Sequence, residues 1–113
     1  MHVPRVFRVI LNTPEGPSSI PCAEDEFVWN AAARSGIQLP AICHQGRCLT
    51  CAARLVEGEF DQTAASSYFS QDRESGFVLL CTARPRSDLI LETHQQDGMR
   101  EFRKAHGLPS PYS

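Results

Sequence analysis

Three cysteines within nine residues, Cys43, Cys48 and Cys51, and a fourth at Cys81 constrain this chain more than any other feature. Thiols set this close must either react together or bind something together, and both uses restrict where the backbone can run. Cys22 makes five. An odd count leaves one thiol over, and the start Met-His-Val-Pro-Arg-Val lacks the basic and long apolar regions of a secretory signal. A disulfide framework is therefore not expected, and four cysteines remain for a metal or for redox chemistry. Cys22 reads as a small buried apolar thiol.

The spacing C-x4-C-x2-C followed by a distant cysteine is the plant-type pattern of a [2Fe–2S] cluster, which needs four thiolates, two on each tetrahedral iron. Gly46 lets the backbone wrap closely, so that N–H groups face the anionic sulfurs. Thr50 is placed either to donate its hydroxyl to a sulfur or to stand as a solvated loop residue. Zinc remains the alternative, although zinc ribbons pair two C-x2-C units and Cys81 is followed only by Thr82 and Ala83. A redox dithiol of the thioredoxin kind needs a βαβ setting, and a Rieske centre needs two Cys/His pairs where only His44 adjoins a cysteine. His2, His44, His94 and His106 form no nucleophile–base–acid motif, so no enzyme is expected.

The local patterns read as an α+β layer pair. Residues 5–11 form a strand, Pro14, Gly16 and Pro17 a turn, and Ser19 to Cys22 a returning strand. Glu24, Asp25 and Glu26 lead into a helix that Gly36 ends. Strands follow at 52–57, 77–80 and 89–93, with Cys81 closing the second of these. Residues 61–76 read as loop with a short helix. After His94 a helix with Asp97 as cap and an apolar stripe of Met99, Phe102 and Ala105 runs to Gly107, with Glu101 and Lys104 spaced to pair. The stripe is expected to dock on the domain's own core; a helix that binds a partner is the alternative. The boundaries are 1–95 for the domain and 96–113 for a C-terminal extension.

LPAICHQGRCLTCAARLVEG, EGEFDQTAAS and GFVLLCTARPRSDLILETH together resemble the plant- and cyanobacterial-type [2Fe–2S] ferredoxins, and the likeness runs over about residues 6–97. The resemblance implies a β-grasp fold with a mixed sheet on one main helix, and a soluble one-electron carrier that docks with redox enzymes. It implies one [2Fe–2S] cluster held by Cys43, Cys48, Cys51 and Cys81, with Cys43 and Cys48 on the outer iron and Cys51 and Cys81 on the inner one. It also implies a minor, less acidic isoform. Ala32, Ala33 and Arg34, then Phe69, Ser70 and Gln71, and finally Gln96 stand where photosynthetic members carry acidic residues. Ser67 stands where they expose an aromatic.

The partners expected are ferredoxin-dependent reductases or oxygenases, in a bacterial cytosol or plastid stroma, with the chain a monomer. The ferredoxin of an oxygenase system is one alternative; a structural or sensory metal module is another. The net charge of −2, with basic residues dispersed, offers no nucleic-acid surface. No run of residues is long and apolar enough for a membrane helix. Arg47, Arg84 and Arg86, close in sequence to the cysteines, are expected to favour the reduced, more anionic cluster and to raise its potential modestly.

Overall fold

The computed structural model describes residues 3–41 and 49–109. Strand β1, Val6–Thr13, buries Val9 and Leu11 completely while Arg8 and Asn12 face water, as a half-buried strand with a period of two should. Thr13 closes the turn: its hydroxyl accepts from the Glu15 N–H and donates to the Gly16 carbonyl. Strand β2, Gly16–Ala23, returns antiparallel on the outer edge of the sheet. Pro17 and Pro21, which cannot donate to a ladder, suit that edge.

Helix α1, Val28–Arg34, starts later than the acidic run suggests and has no acidic residue in its first turn. Glu26 instead meets Arg34 at 2.8 Å, and hydrogen bonding from that guanidinium holds the Glu26 carboxyl below its ordinary value. Gly36, at φ 86°, ends the helix as expected. Its N–H donates to the Ala33 carbonyl and that of Ile37 to the Ala32 carbonyl, the paired bonds of a Schellman stop.

Strands β3 (Ala52–Glu57), β4 (Phe60–Asp61), β5 (Phe77–Leu79), β6 (Arg84–Pro85) and β7 (Leu89–Glu92) complete the sheets. Five strands lie in the order β2-β1-β7-β3-β5, while β4 and β6 form a separate pair. Strand β7 runs parallel to β1, with Val9 opposite Leu89, and antiparallel to β3, with Leu55 opposite Leu91. Val28, Ala31 and Ala32 of α1 join Val9, Leu11 and Leu91 in one core. This mixed sheet with a packed helix is the expected β-grasp arrangement.

Helix α2, Ser70–Glu74, is the short helix expected in the polar segment. Helix α3, Gln96–Ala105, docks on the domain's own sheet. Asp97 lies in its first turn and is not the cap, and the helix pairs Arg100 with Asp97 at 3.4 Å where Glu101 and Lys104 were expected to pair. Met99 is buried and Phe102 packs on Phe77 with ring centroids 5.4 Å apart, but Ala105 is exposed. The helix's other buried position belongs to Arg103, which with Asp72 is fully enclosed. Arg103 Nε and Nη2 donate to the two Asp72 oxygens at 2.9 and 2.8 Å, and its remaining donors reach the Ser67 and Pro109 carbonyls. The Phe69 ring lies 4.8 Å beneath the guanidinium.

Cys22 is fully buried, with its sulfur 3.4 Å from the Glu26 carbonyl. Burial, then the nearby Glu26 charge, pushes its thiol from 9.0 up to about 12. An acid whose folded-state value is raised contributes stability that is fully present below its unfolded value and lost as pH climbs towards the folded one. Stability should therefore begin to fall above pH about 9. Urea unfolding followed between neutral and strongly alkaline pH should show a flatter alkaline limb in Cys22→Ala than in the wild type. Equal limbs would rule the Cys22 contribution out.

Candidate metal centre

The register of β3 on β5 brings the second pair of sequence cysteines together. Ala52 lies opposite Leu79, so Cys51 directly precedes the ladder on one strand and Cys81 follows it on the other, one residue further on after Leu80. The Leu80 N–H donates to the Cys51 carbonyl at 3.2 Å, extending the ladder by one bond into the 3-10 turn Leu80–Thr82 that carries Cys81. Strand β5 thus stops at Leu79, earlier than the sequence suggests, and Cys81 is presented by a turn.

The two sulfurs lie 3.0 Å apart and both residues are buried. That separation exceeds a disulfide bond of about 2.05 Å and brings both thiols within reach of one tetrahedral metal. Cys43 and Cys48, the other two expected ligands, lie outside the described residues, as do His44, Gly46 and Arg47. Among the described residues no set of three or more His, Cys, Asp or Glu side chains gathers to hold a metal.

Next to Cys51, Thr50 Oγ1 is the one buried side-chain nitrogen or oxygen among the described residues without a hydrogen-bond partner. A buried hydroxyl left unmade costs about 1–3 kcal/mol, so this donor has a place for an acceptor beside the cysteine pair. Thiolates and bridging sulfides are such acceptors, and the donor set here fits an iron–sulfur cluster.

The surroundings hold the pair in place. The Gln95 N–H donates to the Ala52 carbonyl at 3.0 Å, tying the chain after β7 to the start of β3. Just before it, His94 adopts φ 60°, the only positive value at a non-glycine among the described residues, and its Nδ1 lies 2.7 Å from Thr93 Oγ1. On the other side Gln62, buried, bonds to Leu79 and Thr82 around the Cys81 turn. No sequence pattern marks a chemical role for Gln62, because a glutamine in a polar segment carries no periodic signal.

The arginines that follow Cys81 are engaged rather than free. Arg84 stacks over Phe27 at 4.7 Å. Arg86 meets Asp61 at 2.7 Å and donates to the Glu24 carbonyl. Bonds from the Thr63 hydroxyl and N–H, and then the Arg86 charge, hold the Asp61 carboxyl below its ordinary value. Among the described residues no helix is long and apolar enough to cross a membrane.

Residues 12–86 match the model of the 2Fe-2S iron–sulfur cluster binding domain. Over 73 residues, 65% of this chain and 70% of the relative, the sequence is 47% identical to "Ferredoxin-2" of Synechococcus sp.. Among solved structures, pectocin M2 aligns with a TM-score of 0.76 at 28% identity, over 91% of this chain but only 39% of its own. The ferredoxin reductase of carbazole 1,9a-dioxygenase aligns at 0.69 and 28% identity, over 82% of this chain and 29% of its own.

Proposed function

The chain belongs to the 2Fe-2S iron–sulfur cluster binding domain family, and from that premise we propose that Cys43, Cys48, Cys51 and Cys81 are its ligands. It carries one [2Fe–2S] cluster and is an electron carrier, not an enzyme. The cluster, when bound, takes up and returns one electron. The observation that carries the ligand set is the 3.0 Å contact of the buried Cys51 and Cys81 sulfurs, which suits two ligands of one inner iron. Cys43 and Cys48 complete the set on the outer iron. Thr50 stands ready to donate to a sulfur of the site. Cys22 lies outside the ligand set: its buried sulfur faces the Ala23 and Glu26 carbonyls.

The chain passes low-potential electrons to redox enzymes as a minor, less acidic relative of the photosynthetic carriers, working as a monomer in a bacterial cytosol or plastid stroma. Residues 1–95 form the cluster domain and residues 96–113 an extension that α3 anchors to it. Thr63, Ala64 and Ser66, exposed beyond Gln62, carry no charge, which supports docking that depends little on salt. The second reading, a donor within an oxygenase system, is favoured by the likeness to the carbazole dioxygenase reductase.

An anaerobic redox titration followed by EPR, with iron and sulfide analysis, tests the whole. One unpaired electron per chain should develop on reduction, at a midpoint somewhat above the plant-type value of about −400 mV. The upward shift is modest, because Arg86 is partly neutralised by Asp61. A colourless protein with zinc and no acid-labile sulfide would end the electron-carrier reading.

A further inference from the structure

We infer that Gln62 is a positioning residue for Cys81, an inference that rests on the ligand set proposed above. The Gln62 side chain is 3% exposed and its amide makes three hydrogen bonds. The Leu79 N–H donates to Oε1 at 3.0 Å, while Nε2 donates to the Leu79 carbonyl at 2.9 Å and to Thr82 Oγ1 at 2.8 Å. Reversing the amide would set a donor against the Leu79 N–H and an acceptor against its carbonyl, so chemistry fixes the orientation.

Leu79 is the last residue of β5, and β5 is the edge of the sheet opposite β2. A backbone N–H and carbonyl at such an edge have no strand to pair with, and buried they must find partners elsewhere. The Gln62 amide presents one donor and one acceptor side by side and takes the place of the missing strand. Its third bond steps over Cys81 to Thr82. From the opposite side, the Leu80 N–H is held by the carbonyl of Cys51. The turn bearing one ligand is thereby clamped between the backbone of a second ligand and a single buried glutamine.

A slack turn would let the Cys81 sulfur leave the position from which it shares a metal with Cys51. Loss of partners that orient metal ligands costs roughly 10–100-fold in metal affinity. Gln62→Met keeps the length and apolar bulk but makes none of the three bonds. Thr82→Val removes only the last of them. Tyr68→Phe is the control: the Tyr68 hydroxyl donates to the Phe77 carbonyl, on the same strand but further from Cys81.

The loaded proteins should be compared for cluster loss to an iron chelator, EPR g-values and midpoint potential. Gln62→Met should lose its cluster roughly tenfold or more faster than the wild type, with altered g-values. Thr82→Val should change in the same direction by less, and it decides the matter if Gln62→Met cannot be loaded. Tyr68→Phe should keep the wild-type spectrum and release rate even if it melts earlier. A Gln62→Met or Thr82→Val protein with wild-type spectrum and release rate overturns the positioning role. So does a Tyr68→Phe protein that loses its cluster as fast as Gln62→Met. A wild-type protein lacking acid-labile sulfide overturns the ligand set itself, and the positioning role with it.

Discussion

Arg103→Leu should lower the unfolding free energy by about 3–5 kcal/mol, one of the largest effects available to a single substitution in this chain. Arg103 and Asp72 are each fully shielded from water and joined by two charge-assisted bonds. Removing the cation leaves a carboxylate enclosed with no counter-charge, and the Ser67 and Pro109 carbonyls lose their donors as well. The loss therefore comes mainly from what is stranded and not from the attraction given up. Asp72 also accepts from the Phe69 N–H at 2.9 Å at the head of α2, so that helix start should loosen too. The paired change Arg103→Leu with Asp72→Leu strands no charge and should regain much of the stability. Urea unfolding of the single and double variants measures both, and a double variant no better than Arg103→Leu would show that the stranded charge is not the cause.

Cys81→Ala should abolish the cluster, and with it the visible absorption and the EPR signal of the reduced protein. Alanine fills part of the same buried space, so the β3–β5 ladder and the Leu80–Cys51 bond have no reason to break. The two sulfurs proposed to share one metal, however, become one. Metal binding is folding free energy in sites of this kind, so the variant should also unfold at lower urea than the loaded wild type and close to the wild type stripped of its cluster. Cys22→Ala serves as the contrast and should keep full colour. Retention of a complete [2Fe–2S] spectrum by Cys81→Ala would remove Cys81 from the ligand set.

Much of the frame was legible from local pattern. The β-branched and aromatic runs of β1 and β5 mark strands because their side chains pack on a pleated surface, and Gly36 and Gly107 mark helix stops because they take left-handed φ. What stayed hidden was decided by partners distant in sequence. Arg103 carries a charge, and charged residues are almost never fully buried unless paired; its partner lies 31 residues earlier, beyond any periodic signal. Strands β4 and β6 are two residues each, too short to show alternation. Glu26 reads as part of an acidic helix start, yet its better partner is Arg34. At the metal centre the cysteine spacing named the chemistry, but Gln62 acts through the backbone on either side of Cys81, and no spacing rule records that kind of support.

The order β2-β1-β7-β3-β5 has a consequence for a chain being made on a ribosome. The last strand to be synthesised is the middle one. Until residue 92 is clear of the ribosome, the β1–β2 hairpin and the β3–β5 pair have no strand between them to make one sheet. Both cysteines of the described pair flank the second of these, and α1 packs on β2 of the first as well as on the turn that carries Cys81. The single sheet that backs the cysteine pair is thus complete only once β7 has been inserted between β1 and β3.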